Sequence, residues 1–387
     1  MQLLIGTYTQ PILHGTGDVL MGRGEGIYEV ALDEVTGRLG QPSVLARTTN
    51  PSFICLSGDG RFLYAVNELK EYDGRAQGSV SAFTRDGREI CVRPTGGTDP
   101  CHVAVSPDGR LLVVANFMSG SVCAYGVNDD GSLGGTNQLF QYAGHSSDPQ
   151  RQTGPHPHSA TFGADGLVYV PDLGLDQIHI FAHTPESGLI EQTPYQVRPG
   201  SGPRYCEFGN GYLYCVNELD STITTLNTGD GSYCSPHPNS GDGSYCSPHP
   251  NSGDGSYCSP HPNNRNRPQC SLRLVDTAST LPDGFTGHSI CGTMRVGPDG
   301  RHVYASNRGH DSIAVFDAAA DGTLRRQDIV PSGGKTPRDF TITPDGRFLV
   351  VAHQDSDNVV SFAIGDDGAL SRCNEVNVPT PVCVLAG

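Results

Sequence analysis

Residues 287–316 read GHSICGTMRVGPDGRHVYASNRGHDSIAVF, and the fold is decided by how this stretch is parsed. It breaks into a short alternating strand, the turn Gly297-Pro298-Asp299-Gly300-Arg301, a strand over 303–307, a polar loop and a strand over 312–316. None of these runs is long enough for a helix, and Pro-Asp-Gly supplies both the restricted φ and the flexible position that a hairpin turn uses. One such meander cannot bury its own apolar face, so it has to stack against others like it.

The rest of the chain supplies them. Units of the same form open near Pro51, Pro100, Pro155, Pro203, His288, Pro337 and Pro381, at spacings of 49, 55, 48, 85, 49 and 44 residues. The outlying gap holds three tandem copies of GDGSYCSPHPNS or a near match over 229–264, and without those 36 residues it too becomes 49. Each unit has a first strand, a turn, a second strand, a third and a weaker fourth. Four antiparallel strands repeated at this period form a propeller blade. The last unit stops soon after Val384, and residues 3–7, 26–30 and 41–46 match the strands it lacks. One blade drawn from both chain ends would close the ring and leave no open edge. The expectation is an all-β, seven-bladed β-propeller, one domain over 1–387, with a low-complexity insertion at about 229–264.

Composition agrees with many short strands: 50 Gly and 28 Pro among 387 residues is heavy punctuation. No apolar run is long enough for a bilayer-spanning helix. Residues 1–9 show no basic segment leading into a long apolar stretch, so no signal peptide is read and a cytoplasmic address is expected. A net charge of −16 argues against a nucleic-acid or anionic-membrane partner. A small anionic ligand stays open if cationic side chains are gathered locally. The 13 cysteines are an odd number, and Cys55, Cys123, Cys215, Cys291 and Cys383 stand where aliphatic residues alternate in strands, as small buried thiols would. In the insertion, Cys234, Cys246 and Cys258 each begin a Cys-Ser-Pro-His string, a pairing zinc can use. Its Pro, Gly, Ser and Asn content without apolar periodicity reads instead as a duplicated, solvated loop, so no metal site is assigned and no cofactor is expected.

Blade geometry says where chemistry should sit. The start of the first strand and the end of the second lie at one end of a blade, opposite the Pro-Asp-Gly-Arg turns, and the first strands line the axis. First-strand openings contribute His102, His156, His158, Arg204, Tyr205, His288 and Arg338. Second-strand ends contribute Asn67, Glu68, Asn116, Asp172, Asn217, Glu218, Asn307, Arg308, His353 and Gln354. The recurring Asn residues read as backbone caps, and Asp176, Asp220, Asp311 and Asp357 as loop pins. Arg204, Glu218, Arg308, His156 and His158 break the repeat and read as functional. Arginine suits bidentate pairing with carboxylate or phosphate, and His or Glu suits proton transfer. His158, His102, Asp172 and Arg338 are expected to contact the substrate.

The strings GTYT (6–9), RQTGPHPHS (151–159), PDLGLD (171–176), GSGPR (200–204), VNELDSTIT (216–224), SNRGHDSIAVF (306–316), GGKTPRDF (333–340) and TPVCV (380–384) closely resemble the seven-bladed propeller lactonase family. That family includes bacterial 6-phosphogluconolactonases and fungal 3-carboxy-cis,cis-muconate cyclases. The resemblance covers the chain outside the insertion. It implies an active site at the central mouth made of His156, with His158 as its partner, Arg204, Glu218 and Arg308. The chain departs from the family pattern at Tyr205, where the family usually has His, and at Thr293 and Arg295, where it usually has an acidic residue and a His. The turn Gly209-Asn210-Gly211 is also shortened.

The expected reaction is hydrolysis of a sugar-acid lactone, most closely 6-phosphogluconolactone. Arg204 and Arg308 would hold the anion and the developing oxyanion, and Glu218 or His156 would activate water. No Gly-x-Ser-x-Gly elbow is present, which favours direct attack by water. A lactone-forming muconate cyclase and a non-catalytic binding propeller are the alternative readings, and the oligomeric state stays open.

Overall fold

The structure, a computed structural model, describes residues 1–13, 17, 19–184, 188–229 and 272–387, and of 135–137 the backbone alone. The tandem copies from 230 onward, with their Cys-Ser-Pro-His strings, lie outside the described residues.

Seven antiparallel sheets follow one another along the chain. Blade 1 is built from Phe53–Leu56, Phe62–Asn67, Ser79–Thr84 and Glu89–Pro94. Blades 2 to 6 span 100–141, 161–196, 203–279, 290–331 and 337–377 in the same order. In blade 3 the outer strand comes in two pieces, Gly188–Glu191 and Tyr195–Gln196, both pairing with Gln177–Thr184. Blade 7 joins the two ends of the chain: Pro381–Ala386 pairs with Gln2–Thr7, followed by Ile27–Ala31 and Ser43–Ala46. The insertion falls between two paired neighbours of blade 4, Thr222–Asn227 and Arg273–Ser279, so it interrupts no strand.

The turns show why Asp-Gly-Arg recurs. Asp59, Asp108, Asp299 and Asp345 each accept the N–H of the Arg two residues on, at 2.9–3.1 Å, while the intervening Gly holds φ of 69–73°. Blade 4 uses Asn210-Gly211 with φ of 52° and 81°, the pattern of a two-residue type I′ hairpin.

The core lies between blades. Tyr64, Val66, Val103, Leu112 and Val114 fill the gap between blades 1 and 2, and Leu3, Ile5, Val350 and Val359 the gap between 6 and 7. Leu4, Ile27, Ile54 and Leu63 join blade 7 to blade 1, which completes the ring. Cys123, Cys215, Cys291 and Cys383 are buried in these layers as expected, whereas Cys55 is only half-buried.

The loop pins carry one offset. Asp176, Asp311 and Asp357 sit at φ of 53–56° and accept N–H bonds from the strand entry of the next blade, such as Thr336 N–H to Asp311 and Thr380 N–H to Asp357. In blade 4, Ser221 at φ 53° takes that place, and Asp220 instead pairs outward with Arg198 at 2.6 Å.

Candidate active site

Two positions that recur among the blades face the axis at one end of the ring. The first is a bulge in the innermost strand. Pro100 pairs with Asn116 and His102 with Ala115, leaving Cys101 between them without a strand partner. Arg204 is left in the same way between Pro203 and Tyr205, and Arg338 between Pro337 and Asp339. An extra residue bends its strand and re-aims a side chain, here into the mouth.

The second position lies just past the second strand, where the backbone N–H bonds back to the loop entering the first strand. Tyr8, Glu68, Phe117, Glu218 and Gln354 make this bond to Thr380, Asn50, Asp99, Gly202 and Thr336 at 2.7–3.1 Å. The residue before it caps the blade. Asn67 donates to Thr49 O at 2.7 Å and Asn307 to Thr280 O at 2.9 Å.

These positions surround a cavity of about 460 Å³ lined by Glu68, Cys101, Phe117, Arg151, His158, Arg204, Glu218, Arg308, Arg338 and Gln354. Leu13, Val19 and Leu20 of a small hairpin, Pro11–Leu13 with Val19–Met21, complete its edge. Glu218 is at the centre of one side. Its Oε2 accepts from Arg204 Nε at 2.8 Å and Arg308 Nη2 at 2.6 Å, and its Oε1 from Arg151 Nη2 at 2.5 Å. Burial alone would raise this carboxyl, but Arg308, Arg151 and Arg204 outweigh it and hold Glu218 well below the usual range. Arg204 also donates to Gly292 O, and Arg308 to Cys291 O at 2.6 Å. Burial and the nearby Arg308 bring Arg204 down to about 10, which leaves it charged at neutral pH.

On the other side, Glu68 Oε2 accepts from Tyr8 Oη at 2.9 Å and stands 3.8 Å from Arg338 Nη2. Burial raises Glu68 above its ordinary value, with Arg338 only partly opposing it. Arg338 in turn donates to Gln354 Oε1 at 3.1 Å and lies over the Tyr8 ring. Between the two groups, His158 sits with Nδ1 3.7 Å from Cys101 Sγ. Burial, together with Arg204 and against the opposing pull of Glu218, keeps its imidazole well below the normal pKa, so it is neutral.

Arg204, Glu218, Arg308, His158 and Arg338, expected from the sequence, therefore line one cavity. His156, His102 and Asp172 do not. His156 lies in the segment leading into blade 3, just before the isolated pairing of Pro157 with Asp172, its carbonyl accepting from Leu173 N–H, its ring stacked on Phe117 at 4.4 Å and its Nδ1 2.8 Å from Phe117 O. The bulge position belongs to His158. Asp172 occupies the capping position: fully buried, it accepts from the N–H groups of His156, Gly174 and Leu175 at 2.7–3.0 Å and from His179 at 3.1 Å. His102 points into the axial channel below the mouth, beside Phe53 and Tyr205, and burial with Arg295 and Arg204 lowers it to about 3. Glu218 is tied to three guanidinium groups, which fix the position of its carboxylate. Sequence reasoning missed Arg151, from the loop before blade 3, and gave no role to Tyr8 or Glu68.

The three residues that depart from the family pattern meet below the mouth. Arg295 stacks on Tyr205 at 4.6 Å, donates to Thr293 Oγ1 at 2.7 Å and pairs with Asp339 at 3.0 Å. Among the described residues, no cluster of three His, Cys, Asp or Glu side chains is placed to hold a metal ion, and no helix is long and apolar enough to cross a membrane.

The sequence matches the family described as "Lactonase, 7-bladed beta-propeller" over residues 2–236 and 263–386. It is 30% identical over 347 residues to the 6-phosphogluconolactonase of Bacillus subtilis, covering 87% of this chain and 83% of that one. Among solved structures, a protein from Lactobacillus plantarum superposes with a TM-score of 0.81 at 28% identity, covering 99% of this chain and 98% of the other. The periplasmic gluconolactonase of Pseudomonas aeruginosa superposes with a TM-score of 0.79 at 28% identity, over 99% and 98% of the two chains. With its seven blades, its closure by both termini and this match over nearly its whole length, the chain belongs to the seven-bladed β-propeller lactonase family.

Proposed function

We propose that this protein is a hydrolase that opens the lactone of a sugar acid, with 6-phosphogluconolactone as its substrate. The observation that carries the reading is the convergence of Arg151, Arg204, Arg308 and Arg338, from separate parts of the chain, on one cavity. That charge is gathered in a protein of net charge −16, so it marks a place for an anion. Arg151 and Arg308 grip the phosphate, as guanidinium groups grip oxyanions through paired N–H donors. Arg204 and Arg338 face the lactone carbonyl and stabilise the oxyanion formed when water adds. Glu218 holds three of these cations at fixed spacing. His158, kept neutral, orients the attacking water or a sugar hydroxyl without adding a competing charge. The names of the relatives favour the same substrate class. The nine described cysteines are all free thiols, which supports a reducing, cytoplasmic setting.

The test is a substrate panel at mildly acidic pH, where spontaneous opening is slow: 6-phosphogluconolactone, unphosphorylated gluconolactone and 3-carboxy-cis,cis-muconate. Preference for the phosphorylated lactone, lost in Arg308→Ala, is the expected result. Turnover of the muconate alone would make the enzyme a cyclase, and no turnover of any compound would leave a binding propeller.

A further inference from the structure

Val-Asn-Glu occurs twice, at 66–68 in blade 1 and 216–218 in blade 4. Both glutamates fill the same position past the second strand, and both line the cavity. Their surroundings differ. Glu218 is bound by three guanidinium groups, whereas Glu68 has one phenol at 2.9 Å and one guanidinium at 3.8 Å, too long for a hydrogen bond. Two carboxyl groups in one site, one saturated with cations and one sparingly met, is the arrangement by which an enzyme separates an electrostatic role from a proton-transfer role.

We propose that Glu68 is the proton-transfer residue of the reaction, acting across the mouth from Glu218. This rests on the lactonase reading. As water adds to the lactone carbonyl carbon, the new C–O bond forms and one water proton passes to the Glu68 carboxylate. As the tetrahedral adduct collapses, the bond from that carbon to the ring oxygen breaks and the same proton moves to the departing oxygen. One water is consumed, one hydroxyl and one carboxyl group are produced, and Glu68 ends as it began. Neither His158, which burial keeps from holding a proton, nor Glu218, which its arginines keep from taking one, can make this transfer as readily. Glu68 is raised by burial, and its carboxylate is therefore a stronger base than an exposed one.

The groups that face Glu68 set where it titrates. Tyr8 comes from the end of the first strand of the chain, Arg338 from blade 6, and Cys101 and Asp99 from the entry to blade 2, with Asp99 itself paired to Lys70 at 2.8 Å. Against burial, Arg338, the Ser52 hydroxyl and Tyr8 favour the ionised form, and Asp99 opposes it. Activity should therefore rise with pH along a limb set by Glu68, and Tyr8→Phe should move that limb to higher pH.

The experiment compares pH profiles of kcat and KM for 6-phosphogluconolactone in wild type, Glu68→Gln, Tyr8→Phe and Arg204→Ala, after subtraction of spontaneous opening. Expected are a fall of about 100-fold or more in kcat for Glu68→Gln with little change in KM, and loss of the acidic limb. A packing role alone would leave the limb in place. A folded Glu68→Gln that keeps its kcat and its limb, while Arg204→Ala loses activity, overturns the role of Glu68 and spares the lactonase reading. A wild type inactive on every lactone overturns that reading and this role with it. If Glu68→Gln does not fold, the Tyr8→Phe profile decides: an upward shift supports the role, and an unmoved limb overturns it.

Discussion

Glu218 carries one negative charge for three arginines, and its removal leaves those cations buried without a counter-ion. Glu218→Gln, which keeps the shape, should cost about 3–5 kcal/mol at pH 7, read from urea denaturation. The pH dependence has a definite sign. The folded pKa is lowered, so the stabilisation is complete above the unfolded value and drains away as pH falls through the folded one. The gap between wild type and Glu218→Gln should accordingly narrow only below about pH 4. At this scale the sequence was readable where a residue broke the repeat: Arg204, Glu218 and Arg308 stood out as unlike their counterparts in other blades. It was misleading by one or two positions elsewhere. Pro155-His156-Pro157-His158 offers two histidines, and only the pairing of Pro157 with Asp172 shows which one reaches the bulge. Glu68 was placed at the mouth beside Glu218 but given no role, because the Val-Asn-Glu string the two share does not say how many cations each will meet. Arg151 belongs to a connecting loop and has no periodic signal at all.

Strands and turns were legible because their chemistry is local. Pro-Asp-Gly-Arg names its own turn, and alternation names the strands. Bulges were not, because whether Arg204 or Arg338 loses its strand partner depends on the register of a neighbour, which no single strand encodes. The hairpin at the edge of the mouth carries no such signal, because its two strands are only three residues each and lie outside the repeat, between two strands of blade 7. Gly292 shows how tightly these inner strands meet. A Cβ there would stand 2.5 Å from Ser306 Oγ, 2.6 Å from Pro337 O and 2.8 Å from Arg338 O, at the seam between the strand whose carbonyl receives Arg204 and the strand carrying Arg338. Gly292→Ala should lower stability by about 1–3 kcal/mol and reduce kcat/KM along with it. Thermal unfolding and steady-state kinetics on the same preparation would show both; an alanine variant as stable and active as wild type would mean the blades can part without consequence.

The ring as a whole is what turns scattered polar residues into a site. Blades 3, 4 and 5 supply His158, Arg204 and Arg308, blade 6 supplies Arg338, and blades 7 and 1 supply Tyr8 and Glu68. Seven-fold repetition was evident from spacing alone once the tandem copies were set aside, and the family match leaves out 237–262, inside that insertion. The position of the mouth followed from blade geometry, but which side chains touch across it did not, because contact between blades depends on distances that a repeat does not specify. The most direct test is a double-mutant cycle on kcat/KM for 6-phosphogluconolactone with Arg204→Ala, Arg308→Ala and the pair. Arg204 and Arg308 share Oε2 of Glu218, so the loss of one should loosen the other: each single change should cost about 100-fold or more, and the double far less than the product of the two. Folded variants that keep the wild-type kcat/KM would contradict the account.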